Sequence, residues 1–192
     1  ALTPFYDLAG VEVLRGPQGV LFGKNALSGV ISIRTAEPEE DFGGYVTAQA
    51  GSFGLFEAQG AVTGSVGDNV SLRLAGIARA RGGYLDDLAP GKSNGGRQRT
   101  YGLRGRANID LSDTTRLKLK YEWFRDTEYG YTRQLTAVGP ADAANPLFNG
   151  IETKLDRRVY SGQTGIYNVD ALVGTEAHIA MAELEHELGN GD

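Results

Sequence analysis

The stretch Val11-Glu12-Val13-Leu14-Arg15-Gly16-Pro17-Gln18-Gly19-Val20-Leu21-Phe22-Gly23-Lys24-Asn25-Ala26-Leu27-Ser28-Gly29-Val30-Ile31-Ser32-Ile33-Arg34-Thr35 decides how this chain is read. It divides into two short apolar strands around a glycine-rich turn. Val11, Val13 and Leu14 open the first strand, and Val30, Ile31 and Ile33 carry the second. Gly16, Gly19, Gly23 and Gly29 punctuate the backbone between them, where positive φ or close backbone approach is needed. Pro17 fixes its own φ and keeps Gly16 out of the helical region. Arg15 stands in apolar company, and an unpaired buried guanidinium is very costly, so it must reach water or carboxylates.

Beyond this stretch, Ala36-Glu37-Pro38-Glu39-Glu40-Asp41 is an acidic, proline-marked linker. From Phe42 the apolar period becomes two, the period of a strand with one apolar face. Val46, Ala48 and Ala50 alternate with Thr47 and Gln49, up to a turn at Gly51-Ser52-Phe53-Gly54. Phe56, Ala58, Gly60 and Val62 alternate with Glu57, Gln59 and Thr63, up to Gly67-Asp68-Asn69, a hairpin turn. Val70, Leu72, Leu74, Gly76, Ala78 and Ala80 then oppose Ser71, Arg73, Arg79 and Arg81, with Ala75 and Ile77 the only apolar residues on the polar parity. After a polar stretch from Gly82 to Gln98, Tyr101, Leu103, Gly105, Ala107 and Ile109 oppose Arg104, Arg106 and Asn108. Leu117, Leu119, Tyr121 and Trp123 follow the turn Leu111–Thr114 and oppose Lys118, Lys120 and Glu122. A long irregular stretch spans Thr127 to Thr175, and a last strand runs from about Glu176 to Leu188 before the turn signature Gly189–Asp192. The pattern predicts about six antiparallel strands.

Composition sets limits. Glycine supplies 28 of 192 residues, about twice the usual ~7%, without a collagen period, which suits strands and tight bends. The absence of cysteine removes disulfides and thiolate metal sites. A net charge of −5 argues against a nucleic-acid partner. No apolar run is long enough for a transmembrane helix, but barrel strands of ~9–11 alternating residues need none, and a mean hydropathy of −0.28 fits a barrel as well as a soluble protein. The N-terminus carries no signal-peptide pattern, and the chain is expected to begin and end inside a longer protein.

The opening motif closely resembles the end of the plug domain of TonB-dependent outer-membrane receptors. The matching residues are Val11-Glu12-Val13-Leu14-Arg15-Gly16-Pro17-Gln18-Gly19, Leu21-Phe22-Gly23, Asn25-Ala26 and Gly29-Val30-Ile31-Ser32-Ile33. The family often has a second glycine where Ser28 stands. The resemblance implies a mainly β chain: residues 1–36 as the C-terminal part of a plug, 37–42 as a linker, and 43–192 as the N-terminal strands of a transmembrane antiparallel β-barrel. It implies active uptake of a scarce, bulky solute, such as a ferric siderophore, across the outer membrane of a Gram-negative cell. TonB would supply the energy through an N-terminal box that this chain lacks. The arginine of the Leu-Arg-Gly motif holds the plug to barrel glutamates in the family, and Arg15 takes that role here, its partners expected in later strands.

With the plug on the periplasmic side, the short connections Gly67–Asn69, Leu111–Thr114 and Gly189–Asp192 fall in the periplasm and both long ones outside, as in bacterial barrels, with Gly51–Gly54 the one short outer turn. The apolar parity then faces lipid. Phe53, Phe56, Tyr101, Tyr121 and Trp123 sit toward strand ends as an aromatic girdle, and Arg99 and Arg125 fall only at outer ends. The opposite parity forms a luminal basic wall of Arg73, Arg79, Arg81, Arg104, Arg106, Lys118 and Lys120. These side chains either pair with acids on the plug or draw an anionic solute inward.

Other motifs carry less. Gly91-Lys92-Ser93 lacks the glycine a P-loop needs at position 86, which is Asp86. His178 and His186 lie eight residues apart, ~26 Å on a strand and too far for one metal. Asp86-Asp87 alone is a weak calcium signal. No nucleophile-base set or cofactor-binding pattern emerges, so neither an enzyme nor a cofactor is expected. Two rival readings stand beside the receptor: a passive porin-like channel, which leaves residues 11–35 unexplained, and a soluble β-sandwich with a carbohydrate-binding or adhesive role.

Overall fold

A computed structural model describes residues 4–16, 29–84, 86–87, 95–129, 158–159 and 172–188. Two strands, β1 (Leu8–Arg15) and β2 (Gly29–Thr35), form an antiparallel pair. Val11 faces Ile33, Val13 faces Ile31, and Leu14 faces Val30, so the apolar residues at both ends of the opening motif meet across one ladder. Gly29 has φ 137° and lies against the other strand, where an added Cβ would stand 2.5 Å from the Leu14 carbonyl oxygen. Only glycine fits both conditions. Gly16, at φ 88°, begins the turn from the other side, while Pro17, Gly19 and Gly23 lie outside the described residues.

The remaining long strands make one open antiparallel sheet: β3 (Gly43–Gly51), β4 (Leu55–Ser65), β5 (Val70–Arg81), β7 (Arg97–Ser112), β8 (Thr115–Tyr129) and β10 (Leu172–His186). Spatial order follows chain order from β3 to β10. The up-and-down arrangement follows from two-residue alternation between turn signals. Two-residue strands β6 (Asp86–Asp87) and β9 (Arg158–Val159) pair in parallel between the two long connections, a contact the alternation did not foretell.

Three strand limits differ from the sequence expectation. β7 starts at Arg97, inside the expected polar stretch, β8 continues to Tyr129, and β10 occupies 172–186 rather than 176–188. Ladder bonds between neighbours carry these ends, because Arg97 pairs with Tyr129 and Leu172 with Tyr129 whatever their side chains are. The turn Gly189–Asp192 lies outside the described residues.

One face of the sheet is apolar and open. Val46, Phe56, Leu74, Leu103, Tyr121 and Leu184 are all exposed on it. Burial is confined to the other face, where Tyr6, Ala75 and Ile77 form the small core. That contact explains why the fifth strand carries two apolar residues on its polar parity: they seat the segment that precedes β1.

Candidate functional site

The site is the junction between the N-terminal segment and the basic face of the sheet. Alternation places Arg73, Ala75, Ile77, Arg79 and Arg81 of β5 on one side, beside Gly102, Arg104 and Arg106 of β7 and Lys118, Lys120 and Glu122 of β8. Tyr6 inserts among them and is 1% exposed. A Cβ at position 102 would lie 3.0 Å from Ile77 Cγ2 and 3.1 Å from the Tyr6 ring. Glycine here makes the room for the tyrosine.

Asp7 follows at φ 51°, a left-handed conformation that aspartate tolerates better than most residues. The kink turns its carboxylate into the sheet. Arg73 donates to it through both Nε (2.9 Å) and Nη2, and the Tyr45 hydroxyl donates from 3.3 Å. The Asp7 carbonyl accepts the Ala36 N–H at 2.9 Å, so the same residue ties the start of β1 to the end of β2. Fork-shaped pairing of this kind fixes orientation as well as charge.

Arg104 makes the second anchor. Its guanidinium lies 4.3 Å from the centre of the Tyr6 ring, and Nη1 donates to the Tyr6 carbonyl at 3.0 Å. Nη2 donates to Glu122 at 2.7 Å, and Lys120 Nζ is 3.1 Å from the other Glu122 oxygen. Arg104 and Glu122 are both almost fully buried, so each needs the other. Burial, the largest influence, pushes the Tyr6 phenol up to about 12, against the lowering effect of Arg104. Its hydroxyl has no hydrogen-bond partner among the described residues.

Arg106 grips the linker. Nη1 donates to the Thr35 and Ala36 carbonyls at 3.0 and 2.9 Å, and Nη2 to Glu37 at 3.2 Å. Lys118 lies 3.9 Å from Glu37 and bonds Glu185. Glu39 N–H donates to the Thr63 hydroxyl, which donates on to the Leu72 carbonyl.

The other two arginines on this face sit nearer the long connections. Arg79 is 3.6 Å from Glu57 and partly exposed. Arg81 donates to the Gly96 carbonyl at 3.3 Å and stacks 4.9 Å above Tyr84. Tyr84 packs edge-on against Phe53, which sits at φ 60° in the short turn Ser52–Gly54. Arg15 is exposed at the end of β1, opposite Gly29, and pairs with no described carboxylate.

On the apolar face Phe56, Tyr101 and Trp123 lie on a diagonal, with Tyr121 two residues beyond it on β8. Phe56 of β4 registers with Ala80, Arg99 and Thr127 across β5, β7 and β8. Tyr101 lies two residues beyond that row on β7, and Trp123 four beyond it on β8. Four residues are about 13 Å and three strand spacings about 14 Å, an inclination of roughly 43°. Arg97, Arg99, Arg125 and Glu176, the charges of this parity, all fall on the long-connection side of the line. His178 accepts or donates a 2.8 Å bond with Tyr121, and His186 a 2.9 Å bond with Thr115. No metal-binding group of residues occurs among the described residues.

The sequence reading missed Tyr6, Asp7 and Gly102. Ala75 and Ile77 were the available signal, as apolar residues where the pattern asked for polar ones.

Comparisons with known proteins give a consistent neighbourhood. No family model matches the chain. It is similar to the ferrioxamine B receptor of Salmonella typhimurium, at 30% identity over 86% of this chain and 23% of that protein. It is 39% identical to the vitamin B12 transporter BtuB of Vibrio vulnificus over 91% of this chain and 30% of the relative. Among solved structures, the ferric yersiniabactin uptake receptor FyuA of Yersinia pestis superposes with a TM-score of 0.74 at 19% identity, over 95% of this chain and 26% of that one. The chain thus spans about a quarter of the length of the curated relatives it matches.

Proposed function

This chain belongs to the TonB-dependent receptors of the Gram-negative outer membrane, and from that premise we propose that it joins the end of a plug to the first six strands of the barrel around it. Residues 1–36 act as plug, 37–42 as linker and 43–192 as wall. The receptor takes up a scarce, bulky solute, a ferric siderophore in the first instance, and TonB energises release by pulling on the plug from upstream of residue 1. Ligand-induced movement of the plug does the work, with no covalent chemistry.

The observation that carries this reading is the seating of Tyr6, Asp7 and Thr35–Glu37 on Arg73, Arg104 and Arg106, at both ends of the hairpin that holds the plug motif. A passive pore has no use for such a clamp, and a soluble sandwich would cover the open apolar face rather than leave it exposed. Five cations of the basic wall, Arg73, Arg104, Arg106, Lys118 and Lys120, serve the clamp or its acids. Arg79 and Arg81, nearer the outer loops, are the ones that face an incoming anionic solute. Arg15 is kept as a plug latch whose carboxylates come from later strands. The aromatic diagonal supports the membrane placement, because strands of such barrels tilt by ~35–45° and a level girdle must then cross the register obliquely.

Uptake by cells that depend on the full-length receptor tests the proposal, with labelled ferrioxamine B as the first solute tried. Accumulation that requires TonB is expected. Equal accumulation without TonB would identify a passive channel and overturn it.

A further inference from the structure

The luminal side of the sheet carries apolar residues beyond those that seat Tyr6. Alternation places Thr175, Ala177, Ile179, Met181 and Glu183 of β10 on the same side as Lys118, Lys120 and Glu122 of β8. Three successive positions of that parity, Ala177, Ile179 and Met181, are thus apolar where barrel interiors are polar. The register makes them the end of a band. Ile77, Gly102, Phe124 and Ala177 stand in one row across β5, β7, β8 and β10, and Ala75, Arg104, Glu122 and Ile179 stand in the next. Tyr6 covers the β5–β7 end of the band, and Phe124 is buried. The β10 end is open: Ile179 is half-buried and Met181 is 56% exposed. On β5 the same departure from parity marks a seat for a residue of the N-terminal segment, and on β10 it calls for another apolar occupant.

Two features of the wall say what covers it. The first is height. Met181 stands in the row of Lys120, Arg106 and Arg73, and Ile179 in the row of Arg104. Both are therefore level with the cations that hold Tyr6 and Asp7, and not with Arg79 and Arg81 nearer the long connections. The second is the direction of the chain. Asp7 bonds Arg73 of β5 and Tyr45 of β3, and the Tyr6 carbonyl bonds Arg104 of β7. Going backward from Asp7, the chain crosses the wall away from β3 and toward β8 and β10. Gly102 and Ala177 are two strand spacings apart, about 10 Å, and the five residues before Tyr6 reach at most ~17 Å. The chain that precedes residue 1 therefore comes within reach of β10.

We infer that Ala177, Ile179 and Met181 form a second seat, which an apolar side chain of the plug upstream of residue 1 occupies in the full-length receptor. This rests on the reading of residues 1–36 as plug. A pull from upstream then meets the β10 seat before it reaches Tyr6.

The test uses the full-length receptor in native outer membranes, with the photocrosslinking residue p-benzoylphenylalanine in place of Met181 and peptide mass spectrometry as readout. The adduct is expected on a plug peptide upstream of residue 1 before any solute is added. Met181→Asp is expected to speed amide exchange in that peptide about tenfold, from the usual worth of one buried methionine, whereas Met181→Leu leaves it within about twofold. An adduct on a long connection or on no peptide would overturn the inference, as would an adduct on labelled ferrioxamine B in its presence, or exchange unchanged by Met181→Asp. The same crosslinker in place of Tyr45, beside Asp7, separates the two levels. Crosslinking from position 45 to the stretch around Asp7, with none from position 181 to the plug, sinks only the second seat. Failure at both positions sinks the plug reading with it.

Discussion

Replacing Asp7 with asparagine tests the clamp at its most demanding contact. Asparagine keeps the size of the side chain and tolerates the same left-handed backbone, so the substitution removes charge and little else. Arg73 is then left buried, with only Glu39 nearby at 3.8 Å, and that carboxylate is mostly in water. Leaving one charge of a buried pair without its partner costs about 3–5 kcal/mol. The loss falls on docking of the N-terminal segment rather than on the sheet, because Asp7 belongs to the segment. The assay is amide hydrogen exchange in the full-length receptor, read at Ala36, whose N–H bonds the Asp7 carbonyl. Protection there is expected to fall by about two to four orders of magnitude, while β7 and β8 keep theirs. Adding Arg73→Leu to Asp7→Asn should restore part of it, since a buried pair replaced by matched uncharged groups is often tolerated. A fall of less than threefold, or a double variant worse than the two single changes combined, would refute the reasoning.

Gly102→Leu should expel Tyr6, since even a Cβ there crowds its ring at 3.1 Å; overpacking of this kind costs about 1–3 kcal/mol, measured as faster proteolysis of the segment. The Tyr6 phenol, raised to about 12 from 10.0, gives docking an alkaline limit. Below pH 10 both the docked and the free segment hold the proton and the stability is intact; between 10 and 12 the free form ionises first, and docking is lost as pH rises through the folded value. Tyrosinate absorbance should follow this, and Tyr6→Phe, which loses no hydrogen bond, should abolish the dependence. Leu103→Arg on the open apolar face should cost about 2–4 kcal/mol and impair assembly, seen as loss of heat-modifiable gel mobility, whereas Gln49→Arg, exposed on the opposite face beside Glu57, should assemble normally.

The parts of this fold that were legible in the sequence are those written as repeating patterns. Strand alternation from Val46 to Trp123 showed which face each residue occupies, and the spacing of Val11, Val13, Val30 and Ile33 foretold two strands, which the register then joins. The clamp was not legible in the same way. Tyr6 and Asp7 are two ordinary residues ahead of the motif, and nothing local says that one will be buried and the other kinked. Their trace appears only in what receives them: two apolar residues on the wrong parity of β5 and a glycine on β7. The polar start of β7 at Arg97 escaped for another reason, since backbone ladder bonds extend a strand past the residues that would propose it. Arg15 shows the opposite limit. Its neighbours suggest a partner, yet no carboxylate among the described residues reaches it.

Central to the account is a sheet with lipid on one face and a plug on the other, and site-directed spin labelling along β7 addresses it directly. These 192 residues hold no cysteine, so none of them competes with a label placed from Tyr101 to Ile109 in the full-length receptor. Collisions with oxygen, which concentrates in lipid, should rise at 101, 103, 105, 107 and 109 and fall at 102, 104, 106 and 108, and the even positions should loosen when Asp7 is changed to asparagine. Odd positions that respond instead to a water-soluble relaxer, or accessibility with no period of two, would contradict it.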